Sequence, residues 1–275
     1  MKIKYLGTAA AEGWPGLFCT CESCRAAAKL GGKNIRTRSQ AIIDDTLLVD
    51  FPADSYMHML TYGLDLPHIH HLLITHTHQD HLYLEELTLR SEWFAQGIDG
   101  LLNIYGNDAM AAKYKRCIGS EAHHKVLDGK LAVTELCEFV SYNIANYTVT
   151  PLLANHAKNE KCFLYIIEKD GKRLFYGNDT GFFPQATWDF IRGMRFDLIS
   201  LDCTMLKHKD GNNHMGIADV LEVKERLCEL GCIDSSTTCV ITHFSHNGGL
   251  LHHEIEATIF KHGFLTAYDG MEVEL

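Results

Sequence analysis

Three histidines and an aspartate fall within one short stretch, His76-Thr77-His78-Gln79-Asp80-His81, directly after the apolar run Leu72-Leu73-Ile74-Thr75. Imidazole binds zinc, manganese and iron, and a carboxylate adds affinity for hard cations. A tight loop at a strand end can turn alternate side chains towards different ions. His76 and His78 can then reach one ion while Asp80 and His81 reach a neighbour. Three further candidates each follow a strand-like run: His156 after Thr148–Asn155, Asp179 after Leu174–Asn178, and His243 after Cys239–Thr242. As a set they would supply a third ligand for each of two ions and a carboxylate to bridge them.

A second group of donors is Cys19-x-Cys21-x-x-Cys24. Thiolates at that spacing can wrap one zinc tetrahedrally if a fourth ligand arrives from elsewhere. His246, close after His243, is the candidate. A closed four-ligand zinc has no open position, so its role would be structural. It would also hold the stretch Cys19–Arg38, which has little apolar periodicity of its own. The other seven cysteines (Cys117, Cys137, Cys162, Cys203, Cys228, Cys232, Cys239) stand among apolar neighbours and read as buried, reduced thiols.

These donors need a scaffold. The chain alternates short β-rich runs (Lys2–Leu6, Ala41–Ile43, Thr46–Asp50, His71–Thr75, Leu102–Tyr105, Lys130–Val140, Asn146–Leu153, Cys162–Ile167, Arg173–Tyr176, Phe196–Asp202, Thr238–Thr242, Met271–Leu275) with helical stretches (Ala53–Tyr62, Tyr83–Gln96, Asp108–Cys117, Gln185–Ile191, Ile217–Leu230, His253–Phe260). Locally paired strands beside strands linked through helices predict a layered α/β protein with mixed sheets. No repeat or Pro/Gly/Ser linker divides the 275 residues, so one domain is expected. Hydrophobic residues make up 46 %, which excludes disorder as the main state. With 35 acidic against 25 basic residues the net charge is −10, which argues against holding long nucleic acid by phosphate neutralisation. No apolar run approaches the roughly 18 residues of a membrane span. The start lacks a secretory layout, so a cytoplasmic protein is expected.

The series His76-Thr-His78-Gln-Asp80-His81, His156, Asp179 and His243, in this order, resembles the metallo-β-lactamase superfamily. The likeness begins with Leu6-Gly7-Thr8 and Asp50 and ends with Ala267-Tyr268-Asp269-Gly270-Met271-Glu272-Val273. It implies a four-layer αββα sandwich of two mixed β-sheets flanked by helices. It implies a dinuclear site, with His76, His78 and His156 on one divalent ion (Zn, Mn or Fe), Asp80, His81 and His243 on the other, and Asp179 bridging. Asp50 would orient the histidine loop from behind the ligands.

The cysteine insertion, a structural zinc loop at about residues 17–38, narrows the resemblance. It is similar to that of the carbon–phosphorus lyase accessory phosphodiesterases, which cleave cyclic ribosyl phosphates, and Arg36-Thr37-Arg38-Ser39 looks like the same group. The pyrroloquinoline quinone biosynthesis B proteins share the insertion, with oxidative metal chemistry and an often altered loop; the intact loop here favours hydrolysis. Activity on a small, cyclic phosphodiester is therefore expected. Oxidative cofactor biosynthesis or tRNA 3′ processing are the alternatives. Asp179 and His214 are the expected catalytic residues, His214 protonating the leaving group or steadying the phosphate. Arg38, Ser39 and Thr180 are weaker substrate-contact candidates, and His68, His70 and His71 read as structural. A homodimer is left open.

Overall fold

Apolar side chains at period two set the architecture. In β2 (Gln40–Ile43), Ala41 and Ile43 join one apolar cluster and Ile42 another. In β9 (Phe163–Lys169), Phe163, Tyr165 and Ile167 join the first of these clusters, while Leu164 and Ile166 join a third. Strands apolar on both faces must be covered on both. The computed structural model, which describes residues 1–98, 100–118 and 126–275, shows how.

The described strands form two mixed sheets of seven. The first runs β14 (Met271–Glu274), β1 (Lys2–Gly7), β2, β3 (Leu47–Val49), β4 (His71–Leu73), β5 (Leu102–Gly106), β6 (Leu131–Glu135). The second runs β13 (Phe264–Thr266), β12 (Thr238–Thr242), β11 (Leu198–Asp202), β10 (Lys172–Gly177), β9, β8 (Tyr147–Leu153), β7 (Tyr142–Ile144). One core lies between the sheets. A second covers the outer face of the first sheet under α2 (Ser55–Tyr62) and α3 (Asp108–Cys117). A third covers the second sheet under α1 (Glu22–Leu30), α4 (Gln185–Ile191), α5 (Ile217–Glu229) and α6 (His252–Ile259). This is the αββα sandwich.

Strand direction decides where the site falls. β10, β11 and β12 are mutually parallel, with Gly177 opposite Leu201 and Asp202 opposite Thr242. β8 reaches the same direction through two antiparallel steps across β9. The residues after β8, β10, β11 and β12 therefore emerge at one edge. β4 is pinned to that edge by the Tyr165 hydroxyl, which donates to the Ile74 carbonyl at 2.6 Å, and by the Phe163 amide, which donates to Thr75 O at 2.8 Å.

Several expectations needed correcting. Glu22–Leu30 is a helix capped by Cys21, although its apolar pattern is thin. Tyr83–Gln96 is not one helix: Leu84–Arg90 is 3₁₀, a geometry that suits the three-residue spacing of Leu84 and Leu87, and Trp93 and Phe94 are left exposed. The run 130–140 splits, because after β6 the chain crosses to β7 in the other sheet. Phe264–Thr266 is a strand missed in the pattern. Among the seven cysteines read as buried, Cys137 and Cys228 are exposed and Cys117 is half-buried; all ten in the chain are free thiols. No helix among the described residues is long and apolar enough to cross a membrane.

Replacing Tyr165 by Phe strands the buried Ile74 carbonyl. Chemical denaturation should show a loss of about 1–3 kcal/mol, the usual penalty for an orphaned buried acceptor.

Candidate metal centre

The loops at this edge bring two sets of donors together. His76, His78, His156 and Asp179 form one set, and Asp80, His81, Asp179 and His243 the other; within each, the donor atoms lie within 4.8 Å of one another. Asp179 belongs to both. Its Oδ2 is 3.3 Å from His76 Nε2 and 3.1 Å from His81 Nε2, and its Oδ1 is 3.1 Å from His156 Nδ1. His243 Nε2 is 3.7 Å from Asp179 Oδ2 and 4.0 Å from Asp80 Oδ2.

The contacts within these sets are poor hydrogen bonding and good cation chemistry. His81 Nε2 faces His243 Nε2 at 3.3 Å, and His156 Nε2 faces His78 Nδ1 at 3.1 Å. Two imidazole nitrogens so placed can share only one proton. His76 Nε2 and Asp179 Oδ1 are buried with no hydrogen-bond partner. Native interiors rarely tolerate such orphans. Divalent cations would satisfy every one of these atoms, so the donor set fits the metals that the sequence implies.

The electrostatics say the same. Burial, aggravated by the neighbouring histidines, pushes His76 well below the usual imidazole range. Burial would push His81 down as well, but Asp80, Asp50 and Asp179 overcome it and hold the ring well above that range. Burial would raise the Asp179 and Asp80 carboxyls, yet the surrounding imidazoles pull both well down. The carboxylates are thus ionised and at least two rings carry conflicting demands, which is the environment a cation relieves.

Behind the donors stands a rigid frame. Asp50 accepts from the Thr75 amide at 2.8 Å and from His81 Nδ1 at 2.7 Å, which leaves His81 Nε2 to face the cluster. Glu160 accepts from the Thr77 amide and hydroxyl, and Lys113 Nζ donates to Thr77 O and Leu82 O, so the histidine loop is gripped on both flanks. Asp50, Asp179 and His243 all sit in the left-handed region, with φ of 65°, 58° and 62°. Residues other than glycine adopt that conformation at a cost, and such strain gathers at functional sites.

His214 stands beside the pair of donor sets. Its Nδ1 is 3.1 Å from Asp179 Oδ1 and 3.2 Å from Asp202 Oδ2, and the side chain is a quarter exposed. Burial opposes its charge, but the two carboxylates push its pKa up to about 11. Asp202 was missed in the sequence. It is fully buried and also accepts from Thr204 Oγ1 at 2.8 Å and the Met215 amide at 2.8 Å, tying the His214 loop to the strand end. The signal that singles out Asp50 and Asp179, an acid at the end of an apolar strand, was there to find it. Gly181 was missed too. A Cβ there would meet the Asn212 carbonyl oxygen at 2.1 Å, and its amide donates to Asn155 O at 2.9 Å. It locks together the loops that carry Asp179, His156 and His214.

The weaker candidates are occupied elsewhere. The Arg38 guanidinium pairs with Asp54 at 3.1 Å, Ser39 is buried, and Thr180 accepts from the Asn155 amide.

Cys19, Cys21, Cys24 and His246 also converge, with donor atoms within 4.8 Å of one another. His246 Nδ1 is 3.7 Å from Cys19 Sγ and 3.5 Å from Cys21 Sγ. The Cys24 amide donates to Cys21 Sγ as the cap of α1, which pulls that thiol down to about 6. That favours the thiolate zinc requires at Cys21, whereas burial pushes the Cys24 thiol up to about 12.

The β-lactamase superfamily domain matches residues 48–244. No curated protein sequence matches the chain. Among solved structures, the chain resembles a diphosphatase from the PhnP family (20 % identity, TM-score 0.76, covering 100 % of this chain and 97 % of that one). It resembles Zn(2+)-bound PqqB from Methylobacterium extorquens (19 %, TM-score 0.77, 100 % of each chain). It also resembles the short form of human tRNase Z (16 %, TM-score 0.67, 100 % of this chain and 99 % of that one). The chain belongs to the metallo-β-lactamase superfamily.

Gly181→Ala forces backbone apart where three loops meet. Thermal and chemical denaturation should show a loss of about 1–3 kcal/mol, in the range for overpacking.

Proposed function

We propose that this chain is a metal-dependent phosphodiesterase that hydrolyses a small, cyclic phosphodiester, acting as one domain over residues 1–275 with a structural zinc loop at about 17–38. The observation that carries the reading is the pair of four-donor sets sharing Asp179, with His214 at their side. His76, His78, His156 and Asp179 would hold one divalent ion and Asp80, His81, His243 and Asp179 the other. When bound, such ions supply Lewis-acid charge to a phosphoryl group and lower the pKa of a shared water.

The protein's own residues do the rest. Asp179 fixes the spacing of the two sets, because its two oxygens serve both. Asp50 and Asp202 hold His81 and His214 by their Nδ1 atoms. His214 Nδ1 faces Asp202 Oδ2 at 3.2 Å, so Nε2 is the atom left to pass a proton to the departing oxygen. Metal binding would take Asp179 from His214, and Asp202 would remain as its partner.

The retained Asp80 supports hydrolysis over oxidative chemistry, and the net charge of −10 supports a small substrate over tRNA. The likeness to the PhnP-family diphosphatase agrees with phosphoester chemistry. The surrounding protein is proposed to be cytoplasmic, and the Cys19, Cys21, Cys24 and His246 site to hold structural zinc.

Bis-p-nitrophenyl phosphate and a ribosyl cyclic phosphate, each with Mn²⁺ or Zn²⁺, test the reading. Turnover should be measurable, faster on the cyclic compound, and fall at least about 100-fold in Asp80→Ala. Cleavage of precursor tRNA alone, or oxygen uptake with a reduced substrate, would replace it with the corresponding alternative.

Elemental analysis should find three metals per chain. Cys21→Ser should remove one zinc and lower the melting temperature while the remaining two metals and the activity persist; losing activity with fold and both metals intact would refute a structural role.

A further inference from the structure

Asp50 is held from a second direction, by a chain of buried side chains that no motif marks. Its carbonyl accepts from Gln40 Nε2 at 2.9 Å. The second hydrogen of that amide goes to Ser55 Oγ at 3.0 Å, and Ser55 passes its own to Pro52 O at 2.6 Å. Gln40 Oε1 is left to accept, and His58 Nδ1 stands 2.6 Å from it. His58 Nε2 is 2.7 Å from Thr37 Oγ1, and Thr37 is 2.6 Å from Asp269 through both its hydroxyl and its amide. Thr8 donates to the other oxygen of Asp269 at 2.6 Å, and the buried Arg36 donates to Thr8 Oγ1 at 2.7 Å. Gln40, Asp50, Ser55 and His58 are each fully buried.

The proton positions nearest Asp50 follow from its carbonyl. Asp50 O can only accept, so the Gln40 amide nitrogen must face it and Gln40 Oε1 must face His58. His58 therefore carries a proton on Nδ1. A hydrocarbon at position 58 would leave Oε1 without a donor in a dry interior, where an unmade hydrogen bond is costly.

We infer that Gln40 and His58 are positioning residues for the metal centre, forming a buried relay from Asp269 through Thr37 that holds Asp50, and through it His81, in place. Asp50 needs such a hold because its φ is 65°. Without the Gln40 bond the Asp50–Phe51 peptide is held only by the Phe51 amide, which donates to His81 O at 2.7 Å, and the backbone can relax towards the favoured side of the map. The carboxylate then swings from His81 Nδ1, now 2.7 Å away, and His81 loses its orientation. The relay also ties β2, α2 and the segment before β14 to one metal-facing side chain, although none of these elements reaches the site.

The inference rests on His81 being a metal ligand, and its test has one arm that does not. Gln40→Met keeps the volume and removes all three bonds. In metal-free protein, the ring N–H resonance of His81 should shift or be lost to exchange in Gln40→Met and His58→Leu. In metal-loaded protein, kcat on bis-p-nitrophenyl phosphate should fall about 10- to 100-fold with KM within twofold, the range seen when support behind a ligand is removed. His58→Asn, whose amide nitrogen can stand near the place of Nδ1, should restore most of kcat where His58→Leu does not. Should His58→Leu fail to fold, Gln40→Met and His58→Asn decide the matter. Folded Gln40→Met with an unchanged His81 resonance overturns the relay, whatever the activity. Absence of phosphodiester turnover in the wild-type protein overturns the functional reading and leaves the resonance arm standing.

Discussion

Asp179, 3 % exposed, has nitrogens of five histidines within 3.7 Å: His76, His81, His156, His214 and His243. A lone buried carboxylate is expensive, and so is a cluster of neutral rings competing for protons. Each makes the other tolerable, and bound cations would make the combination favourable. The rest of the molecule can be read as the means of holding five imidazoles around one carboxylate. The donors reach it from four different strand ends, so any drift of one strand would open the cluster.

Two mechanical solutions recur. Left-handed backbone at Asp50, Asp179 and His243 turns each side chain into the site directly after its strand. Behind the donors stand carboxylates that accept from the histidine rings and loops: Asp50 from His81, Asp202 beside His214, Glu160 from Thr77. Strain at the centre is opposed by these hydrogen bonds behind it. Stability is given up where the chemistry sits and recovered in the three apolar cores.

The cysteine cluster follows the same logic on a segment with no core of its own. Only Cys24 and Ala27 of α1 are buried, which is little hydrophobic support for a nine-residue helix. The thiols and His246 gather where that support is missing, and His246 lies one turn beyond His243, so the two donor groups share a loop.

A layered α/β protein was legible because period-two runs joined through helices leave few arrangements; the αββα sandwich came from the resemblance carried by the donor series, and the donors were legible because each follows an apolar strand. Asp202, Gly181 and the Gln40–His58 relay were not. Gly181 matters only because the Asn212 backbone passes it, and Gln40 only because Asp50 O and His58 lie on either side of it; neither fact leaves a trace in spacing. The helix at Glu22–Leu30 escaped for the same reason, since Cys21 and its cap do what an apolar stripe does elsewhere. Residue type and periodicity, which are local properties, marked the candidate donors and the layered α/β class. Distances between residues remote in sequence decided which polar groups face one another, and those are fixed only when the two sheets close.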